Sequence, residues 1–152
     1  MHGGAPDPGF IADLEFLENR DLDLSVRLGA MLAFNALLIT IGTHPVSASP
    51  GAPLSVDAAS QPWMTVASLA GVVPFVLSSG MVLHALLIGE EFDAGEQEEA
   101  PDALLLRLMA AFIRSIDAQT RLLRRAVQAT VAGGALTLAA WVWILGAKIA
   151  GG

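Results

Sequence analysis

Three long apolar runs set the organisation of the chain, and each is close to the roughly 20 residues that a helix needs to cross a bilayer. The first, "LGAMLAFNALLITIGTHPV", covers Leu28–Val46 and closes on a His-Pro turn signal. A second, "WMTVASLAGVVPFVLSSGMVLHALLIG", covers Trp63–Gly89; as a helix it would be about 40 Å long, so it must tilt, bend at Pro74 or protrude. The third, Ala126–Ala147, carries no charge and ends at Lys148.

The flanking segments keep helical periodicity while becoming polar. Before the first run, Leu14, Leu17, Asp21, Leu24 and Leu28 alternate spacings of three and four, which predicts a helix beginning near Pro8 and continuing into the span. After Pro101, Leu105, Met109, Phe112, Ile116, Gln119, Leu123 and Ala126 repeat the pattern and form a seam for packing helices. The predicted order is a flexible N-terminus at 1–9, a helix leading into span 1 at 10–46, an external loop at 47–62, span 2 at 63–89, an acidic cytoplasmic linker at 90–102, and an amphipathic helix continuing into span 3 at 103–150. The predicted fold class is therefore all-α, an integral membrane protein with three transmembrane helices. Its first and third helices would extend into the cytoplasm as a short bundle. Those two seams offer more apolar surface than one protomer needs, so a homo-oligomer is expected.

Composition agrees with this reading: 54% of the 152 residues are hydrophobic and only 15% are charged, too apolar for an ordinary soluble domain. "MHGGAPDPGF" lacks a basic stretch followed by an apolar one, so membrane insertion is expected to depend on the internal runs. Cysteine is absent, which excludes disulfides, thiolate metal sites and cysteine nucleophiles.

The charges sort by segment. Seven of the eight basic residues flank the N-terminal side of span 1 or lie between spans 2 and 3; the other is Lys148. By the positive-inside rule this places the N-terminus in the cytoplasm and the C-terminus outside, in a multi-pass inner-membrane protein. Arg107, Arg114 and Arg121 recur every seven residues on the side of their helix away from the seam, with Asp117 within reach of the latter two. Such a ladder reads as a solvated face and topology signal; the sharper alternative is attraction to anionic lipid headgroups or to the acidic linker of a neighbouring subunit. Arg124 and Arg125 fall at headgroup level under either reading. No aromatic residues interleave the arginines, and acidic clusters lie beside them, so no nucleic-acid partner is expected.

Inside the runs, Asn35 needs a hydrogen-bond partner because lipid supplies none. It is a candidate for helix–helix packing together with Leu105, Met109, Phe112, Ile116 and Leu123, with a pore-lining role as the alternative. His84 lies about 31 Å along the second helix from Trp63, near the inner interface, where water can reach it. Glu91 is two turns further on, too distant for shared metal coordination. Trp63, Trp141, Trp143 and Lys148 are expected to anchor the interfaces. Several small residues, including Gly71, Gly80, Gly133 and Gly134, allow close helix approach, although no GxxxG spacing occurs. With no phosphate-binding loop, nucleophile elbow or HExxH, no catalytic, cofactor or metal site is expected.

"RLGAMLAFNALLI", Arg27–Ile39, and "RSIDAQTRLLRRAVQATVAGGALTLAAWV", Arg114–Val142, cover a little over a quarter of the chain. They resemble the transmembrane effectors of Pycsar anti-phage systems and related small three-span bacterial proteins: a small-residue-rich first span with a central Asn, and a basic helix passing through Leu-Arg-Arg-Ala into a Gly-containing last span. The resemblance implies a non-enzymatic oligomer that impairs the inner membrane on an infection signal. A small accessory or scaffolding subunit of a larger membrane complex is the alternative.

Overall fold

The computed structural model describes residues 8–90 and 101–151. Four helices occur in the order α1 (Pro8–Gly42), α2 (His44–Ser47), α3 (Pro62–Glu90) and α4 (Pro101–Ala150), with no strand among the described residues. The architecture is all-α, and α1, α3 and α4 are each long and apolar enough to cross a membrane. The acidic linker falls almost wholly outside the described residues, as do residues 1–7 of the N-terminus.

The helix carrying the first run stops at Gly42, not at Val46 as the sequence pattern predicts. Pro45 is the cause: it has no N–H to donate to the Ile41 carbonyl and so interrupts the ladder. The chain restarts as the single turn α2, with proline tolerated in its first turn. Pro74 is treated differently, because α3 continues through it. Its ring deprives the Ala70 carbonyl of a donor, and the neighbouring carbonyl, Gly71 O, accepts from Thr137 Oγ1 on α4 at 3.4 Å. A hydroxyl from an adjacent helix thus contacts the backbone one residue after the carbonyl that the proline deprives of its donor.

α3 and α4 run antiparallel and share the most extensive interface, and α1 packs chiefly on α3. Gly71 lies opposite Thr137 and Gly133 opposite Phe75, so small residues on each helix receive larger side chains from the other. A Cβ at Gly71 would lie 2.9 Å from Thr137 Oγ1 and 3.2 Å from Thr137 Cα; one at Gly133 would lie 2.7 Å from the Phe75 ring. The sequence groups Gly80 and Gly134 with these two, but a Cβ there meets nothing.

Towards the basic end, Leu17, Leu24 and Leu28 of α1, Val82 and Ala85 of α3, and Ile116 and Ala126 of α4 form one buried cluster. Met109, Phe112 and Leu123 are partly buried against it. The side chain of Leu105 lies outside the described residues. Leu14, expected in the seam, is 49% exposed. Counted from Ser78, which faces Asn35, α3 ends about level with Leu24, so Leu14 lies beyond the third helix, as does Leu17, which stays buried.

Gly133→Ala should destabilise the protein by about 1–3 kcal/mol, the range for overpacking a closed core, because Phe75 is buried and has little room to yield. Gly134→Ala should cost nothing. Denaturant unfolding in detergent compares the two.

Candidate functional site

Each spanning helix contributes one polar side chain to a cluster inside the bundle: Asn35 from α1, Ser78 from α3 and Thr130 from α4. All are buried, Asn35 and Ser78 completely. Asn35 Nδ2 donates to Ser78 Oγ at 2.7 Å, and Thr130 Oγ1 donates to Asn35 Oδ1 at 2.8 Å. Ser78 Oγ donates to the Ala126 carbonyl at 2.9 Å, while Thr130 Oγ1 lies 2.9 Å from Ser78 Oγ. With the threonine proton on Asn35 and the serine proton on Ala126, one consistent arrangement uses both hydroxyl protons. The amide faces the other two helices, a helix–helix contact and not a lining for water.

The cluster has a definite depth. Asn35 lies about 12 Å along α1 from Arg27, Thr130 about 8 Å along α4 from Arg125, and Ser78 about 9 Å along α3 from His84. It therefore occupies the half of the apolar span nearer the basic end. It also fixes register: Asn35 and Thr130 are 95 residues apart, and Gly42 and Thr137, separated by the same number, meet near the other end. α1 and α4 are therefore parallel and level along the span.

The opposite end is closed by Lys148. Its ammonium donates Nζ–H to the Ala52 carbonyl at 2.7 Å and to Ser55 Oγ at 3.2 Å. This ties the end of α4 to the loop after α2, which is further joined to it by Val56 N–H donating to Pro45 O at 2.9 Å. A cavity of about 630 Å³ opens here, bounded by Pro50, Ser55, Val56, Asp57, Gln61 and Lys148. The Ser60 hydroxyl, and then the Ala59 N–H, hold the Asp57 carboxyl below its ordinary pKa.

The arginine ladder is exposed at Arg107, Arg114, Arg121, Arg124 and Arg125. Asp117 does not pair with Arg114 or Arg121; Arg114 Nε donates back to the Ala110 carbonyl at 3.2 Å. The aspartate is short and solvated, and an exposed pair of this kind contributes only about 0.3–0.5 kcal/mol. Arg27 forms an ion pair with Asp23, at 2.8 Å on α1.

The tryptophans divide. Trp63 and Trp143 are 76% and 49% exposed, as interface anchors require. Trp141 differs: its indole Nε1 is buried without a hydrogen-bond partner. Gln119 lies in the predicted seam, and its Oε1 is also buried and unpartnered. His84 is exposed, Glu91 lies outside the described residues, and no group of side chains suited to a metal occurs among the described residues.

The fold and its internal polar cluster define an all-α protein with three candidate membrane spans. No protein-family model matches the chain, and neither a curated protein nor a solved structure similar to it was found.

A double-mutant cycle on Asn35→Ala and Thr130→Val should give a coupling of about 0.6–1.7 kcal/mol, the range for interhelical hydrogen bonds in membrane proteins. Strict additivity of the two losses in detergent unfolding would show that they do not act together. Gln119→Met removes an unpartnered acceptor at nearly constant volume and should raise stability by about 1 kcal/mol. A clear loss would mean that a donor from another molecule reaches Oε1.

Proposed function

We propose that the chain is a non-enzymatic, oligomeric inner-membrane protein, with its N-terminus in the cytoplasm and C-terminus outside, that perturbs membrane integrity as an effector in anti-phage defence. The observation that carries this reading is the contrast between the two parts of the molecule. Within the span, Asn35, Ser78 and Thr130 engage one another, and large side chains such as Phe34, Leu37, Val73, Leu77, Val131 and Leu138 face outward. Such a protomer suits a lipid environment and offers no polar group of the cluster to a substrate.

Beyond the span, Ile11, Phe16, Leu22, Val26 and Ile113 are exposed on segments that also carry dense charge. Large apolar side chains in water favour association. Joining copies there gives the paired segments a role and couples events in the cytoplasm to the bilayer. The link to defence comes from the resemblance of the first and last spans to the Pycsar effectors.

Expression of the full chain in bacteria should lower membrane potential and halt growth, and the protein purified in native lipid should have the mass of several copies. A single-copy mass with an intact potential would refute the proposal. Stoichiometric recovery of a larger membrane protein at native expression would favour an accessory subunit instead.

A further inference from the structure

We propose that copies of this chain associate side by side through their basic-end segments, the outward face of α1 on one copy docking on the arginine face of α4 on the next. The proposal rests on the oligomeric reading above and names the surface that would carry it.

The segment of α1 outside the apolar run has two faces. One, through Leu17, Leu24 and Leu28, is buried in the protomer. The other follows Ile11, Glu15, Glu18, Leu22 and Val26, again at spacings of three and four, and all five are exposed. Leu22 and Val26 are 64% and 63% exposed, so this second apolar stripe has no cover from α3 or α4. Glu15 and Glu18 lie along the same stripe. Between Asp13 and Arg27 there are five carboxylates and two arginines.

α4 is the opposite in charge. Between Pro101 and Arg125 there are five arginines and two carboxylates. Arg107, Arg114, Arg121 and Arg125 share the side opposite the buried face of Ile116 and Leu123. The acidic-apolar stripe spans about 22 Å and the arginine ladder about 27 Å. As each face points away from the contact between its own helix and the rest of the bundle, they cannot satisfy one another within a protomer.

Membrane geometry then sets the register between copies. Copies related by an axis along the bilayer normal keep the same height, so the level relation between α1 and α4 within a protomer also holds between neighbours. That relation is the 95-residue offset fixed by Asn35 and Thr130. It brings Glu18 level with Arg114 to within about one residue, or ~1.5 Å, and puts Glu15 between Arg107 and Arg114. Val26 comes level with Arg121, whose aliphatic stem can cover it.

Lipid fits the ladder less well. Arg114 lies about 16 Å along α4 from Arg125, which is roughly two Debye lengths at physiological salt from the headgroup-level arginines. A rod of acidic and apolar residues beside α4 matches the whole ladder, whereas a headgroup layer reaches only its end. The contact is heterologous, one face against a different face, so it repeats from copy to copy and forms a ring where the rotation closes.

The test uses the full chain in lipid nanodiscs or mild detergent, with assembly mass and helical content measured together. Glu15→Lys with Glu18→Lys should lower the assembly mass, and so should Arg114→Glu with Arg121→Glu; each should shift dissociation to at least tenfold higher protein concentration while helical content is kept. Because both pairs are exposed, folding should survive. Combining all four changes in one chain should restore the wild-type mass, a result that damage to the fold would not produce. Oligomeric wild type with unchanged mass in both charge-reversed variants would overturn this interface while leaving the oligomeric reading intact; a monomeric wild type would refute that reading itself. Loss of binding to vesicles of anionic lipid by the Arg114→Glu, Arg121→Glu variant, with its assembly mass unchanged, would assign the ladder to lipid and overturn the proposal.

Discussion

A polar side chain placed in hydrocarbon has to find its partner within the protein, and here that constraint falls on Asn35. Its amide has donors and an acceptor, so one neighbouring helix can serve only part of it. Ser78 and Thr130 take the two roles, donor to one and acceptor from the other, and the Ala126 carbonyl accepts the serine proton. Apolar packing alone would let the helices slide with little loss, since lipid tails are as apolar as leucine. The amide sets their vertical positions, and the close contacts of Gly71 with Thr137 and Gly133 with Phe75 follow in the same register.

The two ends are finished in different ways. At the loop end, Lys148 secures the segment after α2, so the termination of α1 at Gly42 and the end of α4 belong to one closed structure. At the basic end the helices differ in length. α3 stops about level with Leu24, while α1 and α4 continue as a pair with large exposed side chains such as Phe16 and Leu22. Two helices can cover only one face of each other, and Leu22 and Val26 lie on the face of α1 turned away from the bundle.

The helices and their approximate limits were legible because a run of apolar residues longer than about 20 has few alternatives in a chain of this composition. Asn35 was equally legible as a polar group needing a partner. Its partners were not, because Ser78 and Thr130 have the residue types that ordinarily satisfy themselves on their own helix, as Ser79 does with Phe75 O. A coarse signal was present in their depth: each of the three lies in the half of its run nearer the basic end. The contact of Lys148 with Ala52 was not legible, because it depends on how the loop folds back, which no local periodicity encodes. Spacing put Asp117 within reach of Arg114 and Arg121 but could not say whether they pair, since a solvated pair is too weak to impose its geometry.

On the function proposed above, the lipid-facing surface bears on how such a protein would disturb a bilayer. The polar cluster is internal, and the large side chains on the outside of the spans are apolar, so a lone protomer presents no hydrophilic wall for water or ions to follow. A membrane defect would consequently arise between copies, or between a copy and the lipid, where apolar surfaces fail to match. Charged surfaces beyond the span can set the distance and angle between copies without carrying charge into hydrocarbon. On the oligomeric reading proposed above, that division would leave specificity of assembly to the exposed glutamates and arginines at the basic end, and its mechanical consequence to the internally bonded bundle.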